Sequence, residues 1–209
     1  MIYLGEIVDE IKSDLLSGMT YNETRFDDEY IEVKIHAARA HLIAAYLKKF
    51  GKFINDAWVQ TLDVSFEDRD KNCEFVTFEC PNVISTDGMN DGFVYVGNAN
   101  GLKPFTRIRK GFTTLTRHSI FSKKKDILWD FKHLDQNRLV LQFYNNSKLE
   151  YIMVRAMFNN PTTIPNFNKD TDHYPVDENL KHDIVEYVTQ DLFRKTTRPA
   201  ESGITNIPK

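Results

Sequence analysis

The sequence predicts an α+β protein in which a three-helix subdomain carries an inserted, mainly antiparallel β-subdomain. Apolar residues recur at helical spacing near both ends of the chain, whereas they alternate with polar residues between positions 58 and 158. A helix with one apolar stripe must pack that stripe against another element. We therefore expect the C-terminal helix to fold back onto two N-terminal helices, with the β-subdomain projecting from them.

Two helices are predicted in the N-terminal region. The first ends at Gly18, a typical C-terminal stop, and its apolar stripe consists of Leu4, Ile7, Val8, Ile11 and Leu15. Asp27 or Asp28 caps the second helix, which ends at Gly51. The predicted stripe of this second helix consists of Ile31, Ile35, Ala38, Leu42, Ala45 and Tyr46.

The middle of the chain predicts seven strands, because apolar and polar residues alternate between turn residues. These strands cover residues 59–66, 73–79, 92–97, 113–117, 126–131, 138–144 and 149–158. The last two are predicted to form a hairpin through residues 145–148. One face of this hairpin carries Leu139, Leu141 and Phe143.

A third helix is predicted from Pro175 to Lys195, since proline suits the first turn of a helix. Its stripe consists of Leu180, Ile184, Tyr187, Val188 and Leu192. The expected organisation is N-terminal helices (1–56), a β-rich subdomain (57–165), a linker with the C-terminal helix (166–195) and an extended tail (196–209).

The predicted tail carries Arg198, Pro199, Ile204 and Ile207. A segment this short cannot bury two isoleucines against itself. It is either a frayed terminus or an arm that lies on another surface of the chain or on a neighbouring copy.

Composition excludes several functional classes. With 41% hydrophobic and 27% charged residues the chain is globular, and its net charge of −3 gives no general attraction to nucleic acid or anionic membranes. No run approaches the ~20 apolar residues of a membrane span, and the N-terminus lacks a signal-peptide pattern. Two cysteines, Cys73 and Cys80, fit a reducing compartment or a protein that is indifferent to redox conditions. We expect a soluble protein, made inside the cell, with no membrane contact.

Catalytic and metal-binding motifs do not occur at the spacings that their chemistry needs. Cys73 and Cys80 are too far apart for a zinc knuckle, and His36 and His41 point to different faces of one helix. The sequence contains no glycine-rich phosphate loop and no nucleophile elbow. The acidic run at 67–70 fits a solvated turn better than a cation site. We therefore expect no catalytic residues, no metal and no cofactor.

Residues 99–125 form a strongly basic segment that contains no acidic residue. The candidate contact residues within it are Arg107, Arg109, Lys110, Lys123, Lys124 and Lys125. Acidic residues concentrate instead in the predicted helices. Three interpretations remain open, namely contact with nucleic-acid phosphates, head-to-tail association of a positive face with a negative face of the next copy, and a solvated rim.

Several short strings and their order support a resemblance to a known family. They are IHAARAHLI at 35–43, WVQTLDV at 58–64, GFVYVG at 92–97, VRAMFNNP at 154–161, and the pair YP at 174–175 before an acidic helix. From about residue 31 to 193 this succession resembles virion structural proteins of crAss-like tailed bacteriophages. It is most similar to the ring proteins stacked below the portal in the head-to-tail connector.

The resemblance implies a non-enzymatic subunit of a closed, dodecameric ring that joins the portal to the tail. It also implies contacts with the portal and other connector or tail proteins, passing contact with genomic DNA, and a location in the neck or tail of the virion after synthesis in the host cytoplasm. The ending at 198–209 departs from the family pattern, which leaves the particular ring or layer open. The alternatives are a DNA-binding accessory or packaging protein that uses residues 99–125, and an enzyme with unrecognised motifs.

Overall fold

The computed structural model describes residues 1–18, 26–51, 55–65, 75–85, 92–108, 127–135, 138–144, 149 and 151–197. Within them lie three α-helices, α1 (Leu4–Gly18), α2 (Asp28–Phe50) and α3 (Glu178–Thr197). Seven strands lie between α2 and α3, namely β1 (Gln60–Ser65), β2 (Phe75–Pro81), β3 (Phe93–Asn98), β4 (Thr106–Arg107), β5 (Leu128–His133), β6 (Arg138–Tyr144) and β7 (Tyr151–Ala156). The predicted α+β class and its three helices are confirmed.

The three helices share one hydrophobic core. Every residue of the stripe predicted for α1 is buried, and it packs in one cluster with buried residues of α2 and α3. The Asp27 carboxylate accepts a hydrogen bond from the Tyr30 amide at 2.7 Å, which makes Asp27 the cap of α2. Asp177 does the same for α3 through the Leu180 amide at 2.8 Å, so α3 begins after Asp177 rather than at Pro175.

Parts of two predicted stripes are wrong. In α2, Ala45 and Tyr46 are exposed, while Ile43 and Leu47 are buried in their place. In α3, Tyr187 is exposed and Val185 is buried. The second half of α2 carries apolar residues on every side, so that periodicity alone cannot decide which side faces the core.

The strands form two sheets, with orders β1-β7-β3 and β2-β6-β5-β4. All pairs are antiparallel except β4 with β5, which is parallel. The predicted hairpin of the last two strands is wrong, because β6 pairs with β2 and β5 whereas β7 pairs with β1 and β3. The apolar faces of β6 and β7 meet in one core instead of lying side by side. The connecting residues 145–148 and the predicted strand 113–117 lie outside the described residues.

The two sheets are joined at one edge by the chain between β3 and β4. The Phe105 amide donates to the Val96 carbonyl at 2.8 Å, and the Ile108 amide donates to the Trp129 carbonyl at 2.8 Å. The strands therefore follow one another as β1-β7-β3-β4-β5-β6-β2, a half-open barrel. Among the described residues β1 pairs only with β7 and β2 only with β6, and we call the gap between β1 and β2 the seam.

Backbone segments approach closely where the barrel meets the helices. The Gly92 amide donates to the Ile84 carbonyl at 2.6 Å, and the Met157 amide donates to the Gly92 carbonyl at 2.8 Å. A Cβ atom at Gly92 would lie 2.8 Å from the Met157 carbonyl oxygen and 2.9 Å from that of Ile84. These neighbours are backbone atoms that cannot rotate away, so only glycine fits this position.

Gly92→Ala is expected to destabilise the fold by roughly 1–3 kcal/mol, because the added methyl group overpacks the junction. Gly5→Ala is the matched control, since a Cβ at Gly5 in α1 meets no atom within 4 Å and alanine favours helix by up to about 1 kcal/mol. Denaturant unfolding of both variants measures the difference. Equal stability of the two variants would contradict the close approach.

Candidate functional site

A buried arginine lies where the helical core meets the barrel. Arg39 of α2 is fully buried. Its Nε donates to the Pro175 carbonyl at 2.9 Å, its Nη1 to the Phe158 carbonyl at 2.8 Å and its Nη2 to the Trp58 carbonyl at 2.9 Å. Trp58 precedes β1, Phe158 follows β7 and Pro175 precedes α3. The guanidinium therefore ties three distant parts of the chain to α2.

The groups around Arg39 are tuned by burial. Burial lowers the pKa of Arg39 to about 10, so the side chain is still a cation at neutral pH. The Tyr174 ring centroid lies 5.9 Å from the guanidinium, and burial raises the pKa of its hydroxyl. Burial, helped by the nearby Arg39, lowers the pKa of His36 to about 4. His36 is thus neutral, and its Nδ1 lies 2.8 Å from the Tyr174 hydroxyl oxygen.

This cluster was not among the residues that the sequence suggested as functional. Its signal was an arginine and a histidine inside the apolar string at 35–43, on a helix with few charges in its centre. Each member is buried, and the hydrogen bonds go to backbone or to one another. The cluster can therefore fix geometry, but it offers no open position to a ligand.

The described residues hold no arrangement typical of catalysis. Burial raises the pKa of the Cys80 thiol to about 12, which keeps it protonated. No group of three or more His, Cys, Asp or Glu side chains in this part of the chain could hold a metal ion. The acidic run at 67–70 lies outside it. None of the described helices is long and apolar enough to cross a membrane.

A groove runs along the seam. Two adjoining cavities of about 610 and 490 Å³ run there and share Leu62, Phe78 and Pro165 as lining residues. We call them together the seam groove. The three shared residues form its apolar floor. Four carboxylates also line the groove, together with one arginine and one histidine, namely Asp63, Glu79, Asp135, Asp172, Arg138 and His173.

The ion pairs of Arg138 and one buried polar atom of Gln60 determine the chemical character of the groove. Arg138 bridges Asp135 and Glu79, at 2.8 and 3.0 Å, so that one cation faces several carboxylates. Gln60 Oε1 is buried at the groove and has no hydrogen-bond partner among the described atoms. An acidic, partly apolar groove beside an edge strand suits an extended, basic polypeptide.

Arg107 is the one candidate contact residue of the basic segment whose position is described. It is exposed on β4, and its guanidinium lies 5.5 Å from the Trp129 ring centroid and 4.9 Å from that of Phe131. In the strand order β4 stands at the far end of its sheet from β2. The remaining candidates lie outside the described residues, namely Arg109, Lys110, Lys123, Lys124, Lys125, Arg198, Pro199, Ile204 and Ile207.

An open groove beside an edge strand is a feature that proteins use to bind other chains. The family model for phage tail ring protein 2 (CrAss_Ring_2) matches residues 6–203. The chain therefore belongs to this family of phage tail ring proteins, which confirms the resemblance found in the sequence. No curated protein matches the chain significantly.

Arg39→Met is expected to cost roughly 3–5 kcal/mol in the free energy of unfolding, because three buried carbonyl groups lose their donors. The control is Lys34→Met on the same helix, which removes a partly exposed ion pair to Asp191 of 3.0 Å and should cost less than about 1 kcal/mol. Urea unfolding measures both. If Arg39→Met does not fold, Arg39→Lys gives an intermediate loss, and a loss no larger than the control would contradict the role of Arg39.

Proposed function

We propose that this chain is the subunit of a closed, dodecameric ring in the portal-to-tail connector of a crAss-like phage. The observation that carries the proposal is the match to the tail ring family across residues 6–203. A ring also requires a rigid subunit with two different contact surfaces. The Arg39 junction and the two distinct edges of the barrel support both requirements.

In this proposal the chain acts by assembly and not by catalysis, without a cofactor. It is made in the host cytoplasm and is incorporated in the neck or tail of the virion. Its partners are other copies of itself, the portal and further connector or tail proteins. Genomic DNA passes through the ring and touches it in transit.

The basic residues are proposed to face a neighbouring copy or the lumen of the ring. Arg107 supports this assignment, because its guanidinium is held at the surface over two aromatic rings. Arg109, Lys110 and the lysines at 123–125 follow it in sequence. A single exposed ion pair contributes only ~0.2–1 kcal/mol, but a ring repeats every contact in each copy.

The residues after α3 are proposed to form a strap on an adjacent subunit or on the portal. Arg198 and Pro199 would direct the chain away from its own core, and Ile204 and Ile207 would be buried on the neighbour. Each buried isoleucine contributes on the order of 1.5–3 kcal/mol, while ordering the backbone costs about 1–2 kcal/mol per residue. The strap therefore binds only if its backbone also finds hydrogen-bond partners.

Replacing Arg107, Arg109 and Lys110 by Glu is expected to raise the concentration for half-maximal ring formation at least about tenfold. The reason is that the reversed charges repel the acidic surface of the next copy. The control replaces Lys12, Lys48 and Lys49 on the helices by Glu, with the same change in net charge. Native mass spectrometry and electron microscopy measure the rings, and circular dichroism checks the fold.

Unchanged rings after the triple reversal would contradict the assignment of these residues. Three results together would favour the DNA-binding alternative. The wild-type chain would form no rings, it would retain DNA with a steep dependence on salt, and the triple reversal would abolish that retention.

A chain ending at Thr197 keeps all of α3 and is expected to fold normally but to join rings and the portal less well. A full-length chain with Ile204→Ser and Ile207→Ser separates the loss of apolar contacts from the loss of length. Co-purification with the portal and the mass of the assembly are the measurements. If the shortened chain assembles as well as the full chain, residues 198–209 are not a strap.

A further inference from the structure

The seam leaves two strand edges of the barrel without a partner among the described residues. Edge strands expose amide and carbonyl groups that can pair with another chain, and proteins normally cover them or disfavour such pairing. Here a long groove lies beside the edges instead, with Leu62, Phe78 and Pro165 in its lining. An extended peptide added beside β1 would pair with the free backbone and cover this apolar floor.

The charges of the groove indicate which peptide it would prefer. Asp63 on β1 and Glu79 on β2 are exposed on its two sides. Asp135 and Asp172 also line it, and Arg138 is the cation among these lining residues. The groove is therefore acidic, and it favours a basic segment over a neutral or acidic one.

The chain itself contains such a segment, and the described residues that flank it adjoin β4 and β5. Residues 109–126 begin after Ile108 and end before Ile127, and both of these residues are hydrogen-bonded into the sheet at β4 and β5. The segment holds six basic residues and one acidic residue, Asp126. Strands β5 and β6 separate β4 from β2 in the strand order, so the described flanks of the segment do not lie on a strand that borders the seam.

We propose that the seam groove of one copy binds residues 109–126 of the next copy, as an extended strand beside β1. This inference rests on the proposed ring, because a head-to-tail ring needs two different and complementary surfaces on one subunit. The acidic groove and the basic residues 109–126 supply them. Residues 198–209 fit the groove less well, since they carry only two basic residues against one acidic residue.

A charge-swap experiment tests the pairing. The groove variant is Asp63→Lys with Glu79→Lys, and the segment variant is Lys123→Glu, Lys124→Glu and Lys125→Glu. Each variant alone places like charges in the interface, so the concentration for half-maximal ring formation should rise at least about tenfold. An equimolar mixture should recover rings in which the two variants alternate, because each groove then meets a segment of opposite charge.

The control variant is Asp9→Lys with Asp14→Lys, at two exposed positions of α1. It changes the net charge as the groove variant does and tests the helical acids as the alternative negative surface. We expect it to form rings as the wild type does. If the groove variant unfolds at a lower temperature, Asp63→Asn with Glu79→Gln replaces it and should weaken assembly in the same direction.

The outcomes separate the two levels of the proposal. A wild-type chain that stays monomeric overturns the proposed ring and this inference with it. Wild-type rings that persist in both single variants overturn the seam contact alone. Variants that lose their rings but do not recover on mixing also overturn it, because the groove is then occupied by the same copy, by the C-terminal residues or by another protein.

Discussion

The rest of the structure depends on the three hydrogen bonds of Arg39. A guanidinium presents its donors in a planar fork, and in this protein they reach carbonyl groups before β1, after β7 and before α3. Burying this cation has a desolvation cost, which the lowered pKa of Arg39 reflects. The three hydrogen bonds to carbonyl groups offset that cost. A lysine could not make all three in the same geometry, because its ammonium group is not a planar fork.

The junction also explains how two separate cores act as one body. Ile84 and Met157 belong to the helical cluster, whereas their neighbours Val83 and Phe158 belong to the barrel cluster. Adjacent residues therefore face opposite cores, as alternation along a strand requires. Arg39 holds the Phe158 carbonyl at this crossing point. The bundle and the barrel are thus joined by backbone contacts rather than by a flexible linker.

Sequence reasoning predicted the class of fold and the family, and its errors have physical causes. A period of two shows which residues share a face but not which strands pair, so it predicts one hairpin for β6 and β7 although the two strands lie in different sheets. The stripe of α1 was correct because its other side is polar, while the all-round apolar end of α2 was misread. Arg39 and the seam depend on contacts between distant segments, which no local pattern reveals.

Within the proposed ring, the strand order of the barrel determines the angle between neighbouring copies. The groove lies between β1 and β2, and residues 109–126 lie in sequence between β4 and β5, so the groove and the flanks of this segment belong to one continuously paired barrel. A ring closes only when this angle is the same in every copy, because errors add around the circle. The helical bundle lies at one end of the barrel and is held there by Arg39. Neither the groove nor residues 109–126 belong to the helices, so the proposed contact around the ring would leave the surface of the bundle to other partners.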